Sequence, residues 1–234
     1  AVNLIENLSL SSGVPEIAFG KAKREKYFGD IGTEPPLPPN IEQILNSKCI
    51  FWPRKKVRDT HLLVLVPQTV NGRAFCLDVL QELIQNPITG NKTKFNCSKR
   101  ITSQLGKNSV SSHWVLMTRD VVPNSRSKTY EDQKAEVPIY TSKSESPYEV
   151  PTLLDATTAI LLHYLETGEA LYPDSELGKE TVTICQDKLK LAKKSTHHTF
   201  VGVFDNERLH LIETAGMLFA TDDAEGAGYC CTFK

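Results

Sequence analysis

The chain has 234 residues, 40% hydrophobic and 24% charged, enough to bury a sizeable core without disulfide staples. Lys plus Arg number 27 and Asp plus Glu 28, for a formal net charge of -1, so no field of one sign draws the chain to nucleic acid or an anionic membrane. The apolar runs at 62–66 and 160–162 are too short to span a bilayer, and residues 1–12 lack the basic start and long apolar stretch of a signal peptide.

Residues 1–15 read as an N-terminal extension and 16–234 as one domain, since no linker separates two hydrophobic halves. The pattern predicts a helix over 16–28, with Ile17, Phe19 and Tyr27 or Phe28 on an apolar side and Gly29 and Gly32 ending it. A proline-rich bridge at 34–39 cannot be helix interior. Asn40 then heads a short helix, with Gln43 at capping-box spacing. Residues 61–66 form a continuous apolar run ending at Pro67, a buried strand. Asn71-Gly72 is a hairpin turn signal, and 76–85 carries Leu77, Leu80, Leu83 and Ile84 at helical spacing.

Residues 86–106 are polar and turn-rich, with a basic cluster at Lys92, Lys94, Lys99 and Arg100 that reads as a solvated loop face. The second strand is 113–118, and 134–147 reads as an exposed loop. The clearest helix is 151–166, where Pro151 suits the first turn, Gly168 the left-handed cap, and Leu153, Leu154, Ile160, Leu161 and Leu162 leave little polar face. A more polar helix is expected over 180–194. The tail then changes period: 200–204, 209–212 and 217–220 read as a meander, and 229–233 as a last strand. Partly segregated helices and strands predict an α+β domain with a mixed or antiparallel sheet, a central buried helix and a C-terminal β-meander.

Six scattered cysteines, with no CxxC pair, are expected as free thiols of an intracellular protein. Phosphate loops, a GxSxG elbow and HExxH are absent from the sequence, and no cofactor or metal site is suggested; His197-His198 lacks further ligands nearby. The candidate catalytic residues are His61, His113, Asp120 and Cys185. His61 and His113 open the two apolar strands behind Thr60 and Ser112, and the helix between them suits a parallel crossover. Parallel pairing would bring both imidazoles to one cleft, where a ring could act as a general base or orient the Cys185 thiolate; Asp120 ends the second strand. His163, inside the apolar helix, reads as a satisfied core residue.

Longer strings carry a resemblance. Tyr27-Phe28-Gly29-Asp30-Ile31-Gly32, Phe51-Trp52-Pro53, Ser112-His113-Trp114-Val115-Leu116-Met117-Thr118-Arg119-Asp120, Tyr148-Glu149-Val150-Pro151 and Cys185-Gln186 stand in a stretch from about 16 to 190. It resembles the C-terminal module of F-box-containing proteins of environmental, amoeba-associated chlamydiae, a module without an assigned reaction. The resemblance implies a recruiting role: a protein-binding module of an effector-like protein, acting in the cytoplasm or secreted into a host cell, with a host protein as partner. The alternative is an effector hydrolase at His61 and His113. Arg54-Lys55-Lys56 and the ending Cys231-Thr232-Phe233-Lys234 depart from the family pattern, and residues 1–15 are too short for an F-box, so scaffold binding does not carry over.

Overall fold

The computed structural model describes residues 14–126, 128–144, 146–172, 181–191, 195–205, 207–213, 225–226 and 230–233. In chain order the elements are β1 (Ala18–Phe19), α1 (Lys21–Phe28), α2 (Ile41–Asn46), α3 (Val57–Thr60), β2 (His61–Val66), β3 (Thr69–Val70), β4 (Arg73–Ala74), α4 (Leu77–Gln85), β5 (Lys94–Cys97), α5 (Lys99–Leu105), β6 (His113–Thr118), α6 (Tyr130–Lys143), α7 (Leu153–Thr167), β7 (Val182–Lys190), β8 (Thr196–Asp205), β9 (Arg208–Ile212), β10 (Glu225–Gly226) and β11 (Cys230–Phe233).

Two sheets enclose α7. One has the order β1-β2-β6-β11, the other β10-β7-β8-β9-β5. The helix packs against β2 and β6 on one side and β7 and β8 on the other. That position explains its composition: twelve of its fifteen residues are buried, and only an apolar helix can sit between two apolar sheets. Thr152 caps its start by accepting from the Asp155 backbone N–H, and Gly168 ends it at φ 74, a left-handed turn that glycine takes without a Cβ clash. The fold class is α+β, with β7-β8-β9 as an antiparallel meander.

Several expectations need correction. β2 and β6 pair antiparallel, with His61 opposite Thr118 and Val66 opposite His113. The chain crosses back after α4 and α5, so a helix in the connection does not by itself impose a parallel partner. Residues 182–190 form a strand rather than a helix, because Val182, Thr183 and Ile184 are β-branched and a fully buried start followed by alternation fits a sheet. The expected loop at 134–147 contains most of α6; a Thr129–Asp132 capping box nucleates it in spite of Pro138. The turn-rich 86–106 segment holds β5 and α5, and residues 18–19 form β1 before α1 starts. Asn40 precedes α2 without a side-chain capping bond. Asn71 and Gly72 both take positive φ in the β3–β4 hairpin, the turn the dipeptide predicts. The expected strand at 217–220 lies outside the described residues.

α1 brings an oddity into the core. Arg24 is fully buried, its guanidinium 5.1 Å from the Phe75 ring centroid and 5.9 Å from that of Phe28. Its three guanidinium nitrogens make no hydrogen bond to a described residue. Burial pulls its pKa down to about 9, still above neutrality, so the core holds a cation compensated, among the described residues, by ring faces alone.

Replacing Leu161, fully buried in α7, by Ala is expected to cost about 2–5 kcal/mol in urea melts. Arg24→Met, which keeps the length and removes the charge, is expected to stabilise the domain by about 1–4 kcal/mol in the same assay.

Candidate functional site

The antiparallel register places His61 and His113 at opposite ends of a six-residue strand pair, about 17 Å apart along the strand. Each ring is tied into its own network. At the His61 end, Thr60 Oγ1 donates to the carbonyls of Lys56 and Val57, at 3.1 and 3.2 Å. It must therefore accept from His61 Nδ1–H, at 2.9 Å, which leaves Nε2 as acceptor for the Tyr148 hydroxyl at 3.0 Å. Phe51 stacks on the ring. Burial pulls the His61 pKa down to about 4, and Arg119 adds to the fall. Such an imidazole is a neutral strut, closed to substrate.

At the other end, His113 Nδ1 faces the Ser111 carbonyl at 2.8 Å and Nε2 faces Asp155 Oδ1 at 2.9 Å. Nδ1–H donates to the Ser111 carbonyl, and the Nε2 contact ties the ring to the Asp155 carboxyl group at the start of α7. Ser112 is occupied too: its Oγ accepts from the Gln68 N–H at 2.8 Å.

Cys185 also lies near this end. It is fully buried on β7, with Asp155 and Asp187 as its nearest charges. Burial and the two carboxylates push its thiol well above the usual range, so no thiolate forms at neutral pH. A register shift in the β7–β8 pairing between Ile184 and Lys188 accompanies the placement of Asp187, whose Oδ2 accepts from the Leu153 N–H at 2.6 Å. Burial and the nearby Asp155 raise the Asp187 carboxyl. Asp155, at the start of α7, thus bonds His113 and acts electrostatically on Cys185, whose thiol donates to the Thr183 carbonyl at 3.8 Å. Asp120 is exposed beyond the far end of β6, its Oδ1 accepting from the Val121 N–H at 2.7 Å. Cys49, Cys76, Cys97 and Cys185 are unpaired, and among the described residues no three His, Cys, Asp or Glu side chains converge on a metal position. His198 Nδ1 bonds the Cys185 carbonyl at 3.0 Å and its ring stacks on Tyr130.

Two of the recesses among the described residues carry unpaired polar groups on an apolar lining. The first is a cleft of about 90 Å³ beside β2, lined by Arg119, His163 and Glu166 over an apolar floor that includes Leu62 and Val64. His163 is not the satisfied core residue its apolar helix suggests: it lines this cleft, and its ring makes no hydrogen bond to a described residue. Burial lowers its pKa, as does Arg119, while Glu169 and Glu166 oppose the fall. No pattern in the sequence marks this cleft, because its residues come from β1, β2, the residue that follows β6, and α7.

The second is a groove of about 370 Å³ between α4 and α5, with Phe95, Cys97 and Ile101 on its walls and Asp78 and Gln81 on its rim. Its floor is β5, the edge strand of the five-stranded sheet. Gln81 covers that edge: its Nε2 donates to the Phe95 carbonyl at 3.0 Å and its Oε1 accepts from the Phe95 N–H at 3.1 Å. Asp78, one turn earlier on the same face, has no hydrogen-bonding or ionic partner for its carboxylate among the described residues.

Comparison with family models, curated proteins and solved structures gives no match for this chain. No helix among the described residues is long and apolar enough to cross a membrane.

The His61 network generates a pH test. Its folded pKa of about 4 lies below the ordinary value of 6.5, so the folded state binds fewer protons between those limits. The associated stability is fully present above pH 6.5 and is lost as pH falls toward 4, by about 3 kcal/mol at most. Urea midpoints from pH 7 to 4 should fall more steeply for wild type than for His61→Gln; parallel slopes would place the ring in water.

Proposed function

We propose that this chain is a protein-binding module that takes an extended segment of its partner into the groove between α4 and α5. The observation that carries the reading is the Gln81 carboxamide, which makes with Phe95 the donor-and-acceptor pair that a residue of an added strand would make. An edge strand with its main chain held by one side chain is available for exchange. The unpaired Asp78 carboxylate on the same rim favours a segment that brings a Lys or Arg to that position. The half-buried Cys97 offers apolar contact over a base closed by Phe95 and Ile101, and the volume suits a few side chains.

The resemblance to F-box-associated modules supports a recruiting role of this kind. On it rests the finer proposal that the chain belongs to an effector-like protein acting in the cytoplasm of a host cell, with a host protein as partner. The hydrolase alternative required His61 and His113 in one cleft, and the antiparallel register separates them.

The test uses two fluorescein-labelled nonapeptide pools, randomised except for a central Lys or a central Glu. The Lys pool is expected to bind, with amide shifts at Phe95 and Cys97. Gln81→Ala should tighten binding several-fold by removing the internal competitor, and Asp78→Asn should erase a preference of about tenfold for Lys over Glu. Equal binding of both pools, or shifts mapping away from β5, would overturn the reading.

A further inference from the structure

We propose that the cleft beside β2 is a binding site for a small oxyanion, a phosphoryl or carboxylate group, held between the Arg119 guanidinium fork and the His163 imidazole. This is independent of the peptide groove, which lies on α4, α5 and β5.

Arg119 is fixed before any ligand arrives. Its backbone N–H donates to the Thr60 carbonyl at 2.8 Å and its Nε to the His61 carbonyl at 3.2 Å. Those two bonds orient the planar group, while its terminal nitrogens make no hydrogen bond to a described residue and the side chain lines the cleft. A guanidinium held by Nε with its remaining N–H groups open is the geometry that receives an oxyanion.

His163 is the second, independent observation. It is only 8% exposed, yet neither ring nitrogen has a partner among the described residues, and it opens on the same 90 Å³. Neither ring nitrogen is sealed from solvent, so water in the cleft serves them until a ligand group takes its place. That space is several times what one water needs and far below what a drug-sized molecule occupies, which selects a head group over a whole metabolite.

The charges around the ring decide the sign of the ligand. Arg119 faces it from the end of β6; Glu166 and Glu169 face it from the end of α7 and the turn beyond. Glu166 is bridged at 2.9 Å by Lys23 of α1, which leaves Arg119 as the unpaired charge lining the cleft. Burial and Arg119 both disfavour the imidazolium. An anion placed between the two cations offsets both effects, so it takes up a proton on His163 as it binds and binds more tightly as pH falls from 7.5 to 5.5.

The test follows the imidazole nitrogens by NMR while sulfate, which does not titrate in this range, replaces chloride at constant ionic strength. The expected result is a saturable shift confined to His163, a rise in its apparent pKa, and no response from the exposed His197. Arg119→Gln should abolish saturation, Arg119→Lys should weaken it about tenfold by losing the fork, and Glu166→Gln should strengthen it. Phosphoserine and acetate, run as separate titrants, distinguish a phosphoryl source from a carboxylate source. A linear response, an equal response in Arg119→Gln or Arg119→Lys, or a matching shift at His197 would mean an adventitious ion only and would overturn the proposal.

Discussion

The antiparallel ladder between β2 and β6 sets where every other group stands. All six residues of each strand are buried, so the pair can slip by one residue only by turning apolar side chains out of the core. With that register fixed, the His61 end collects Thr60, Tyr148 and Phe51, and the His113 end meets the start of α7. β11 and β1 extend the sheet on either side, and α7 lies across it as a shared core for both sheets. Arg119 leaves β6 at the position where its guanidinium reaches the His61 carbonyl, so the same ladder builds the oxyanion cleft.

The division between closed and open polar groups follows from this arrangement. Near neutral pH, buried histidines and cysteines are tolerated when each proton has an assigned acceptor, and His61, His113 and Cys185 all meet that condition. Among the described residues, groups left with spare hydrogen-bonding capacity at a surface recess include the Arg119 fork, the His163 ring and the Asp78 carboxylate. Recognition belongs to the second set, and none of the expected catalytic residues is in it.

What the sequence makes legible is whatever a local pattern determines. β2, β6, the Asn71-Gly72 turn, α4 and α7 with its Gly168 cap all announce themselves through uninterrupted apolar runs or dedicated turn chemistry. β7 does not, because its charged residues Asp187, Lys188 and Lys190 suggest a polar helix until Pro151, Leu153 and β8 are known to flank the strand. α6 hides behind Pro138. Strand direction is a long-range property and escapes the sequence altogether, which is why two histidines that look like partners lie at opposite ends. His163 escapes for a different reason: an apolar helix face reads as core, and only the approach of β2 and Arg119 leaves a recess beside it.

Arg24 gives the domain an uneven cohesion. The face that α1 turns inward carries a cation, whereas the buried surface of α7 is mostly aliphatic. When α1 lifts away, its guanidinium regains a hydration shell, and that recovery offsets part of the cost of exposing Tyr27 and Phe28 to water. α7 gains nothing comparable on leaving two sheets. The backbone amides of α1 should therefore exchange with solvent through a partial opening long before those of α7, which can exchange only when the whole fold comes apart.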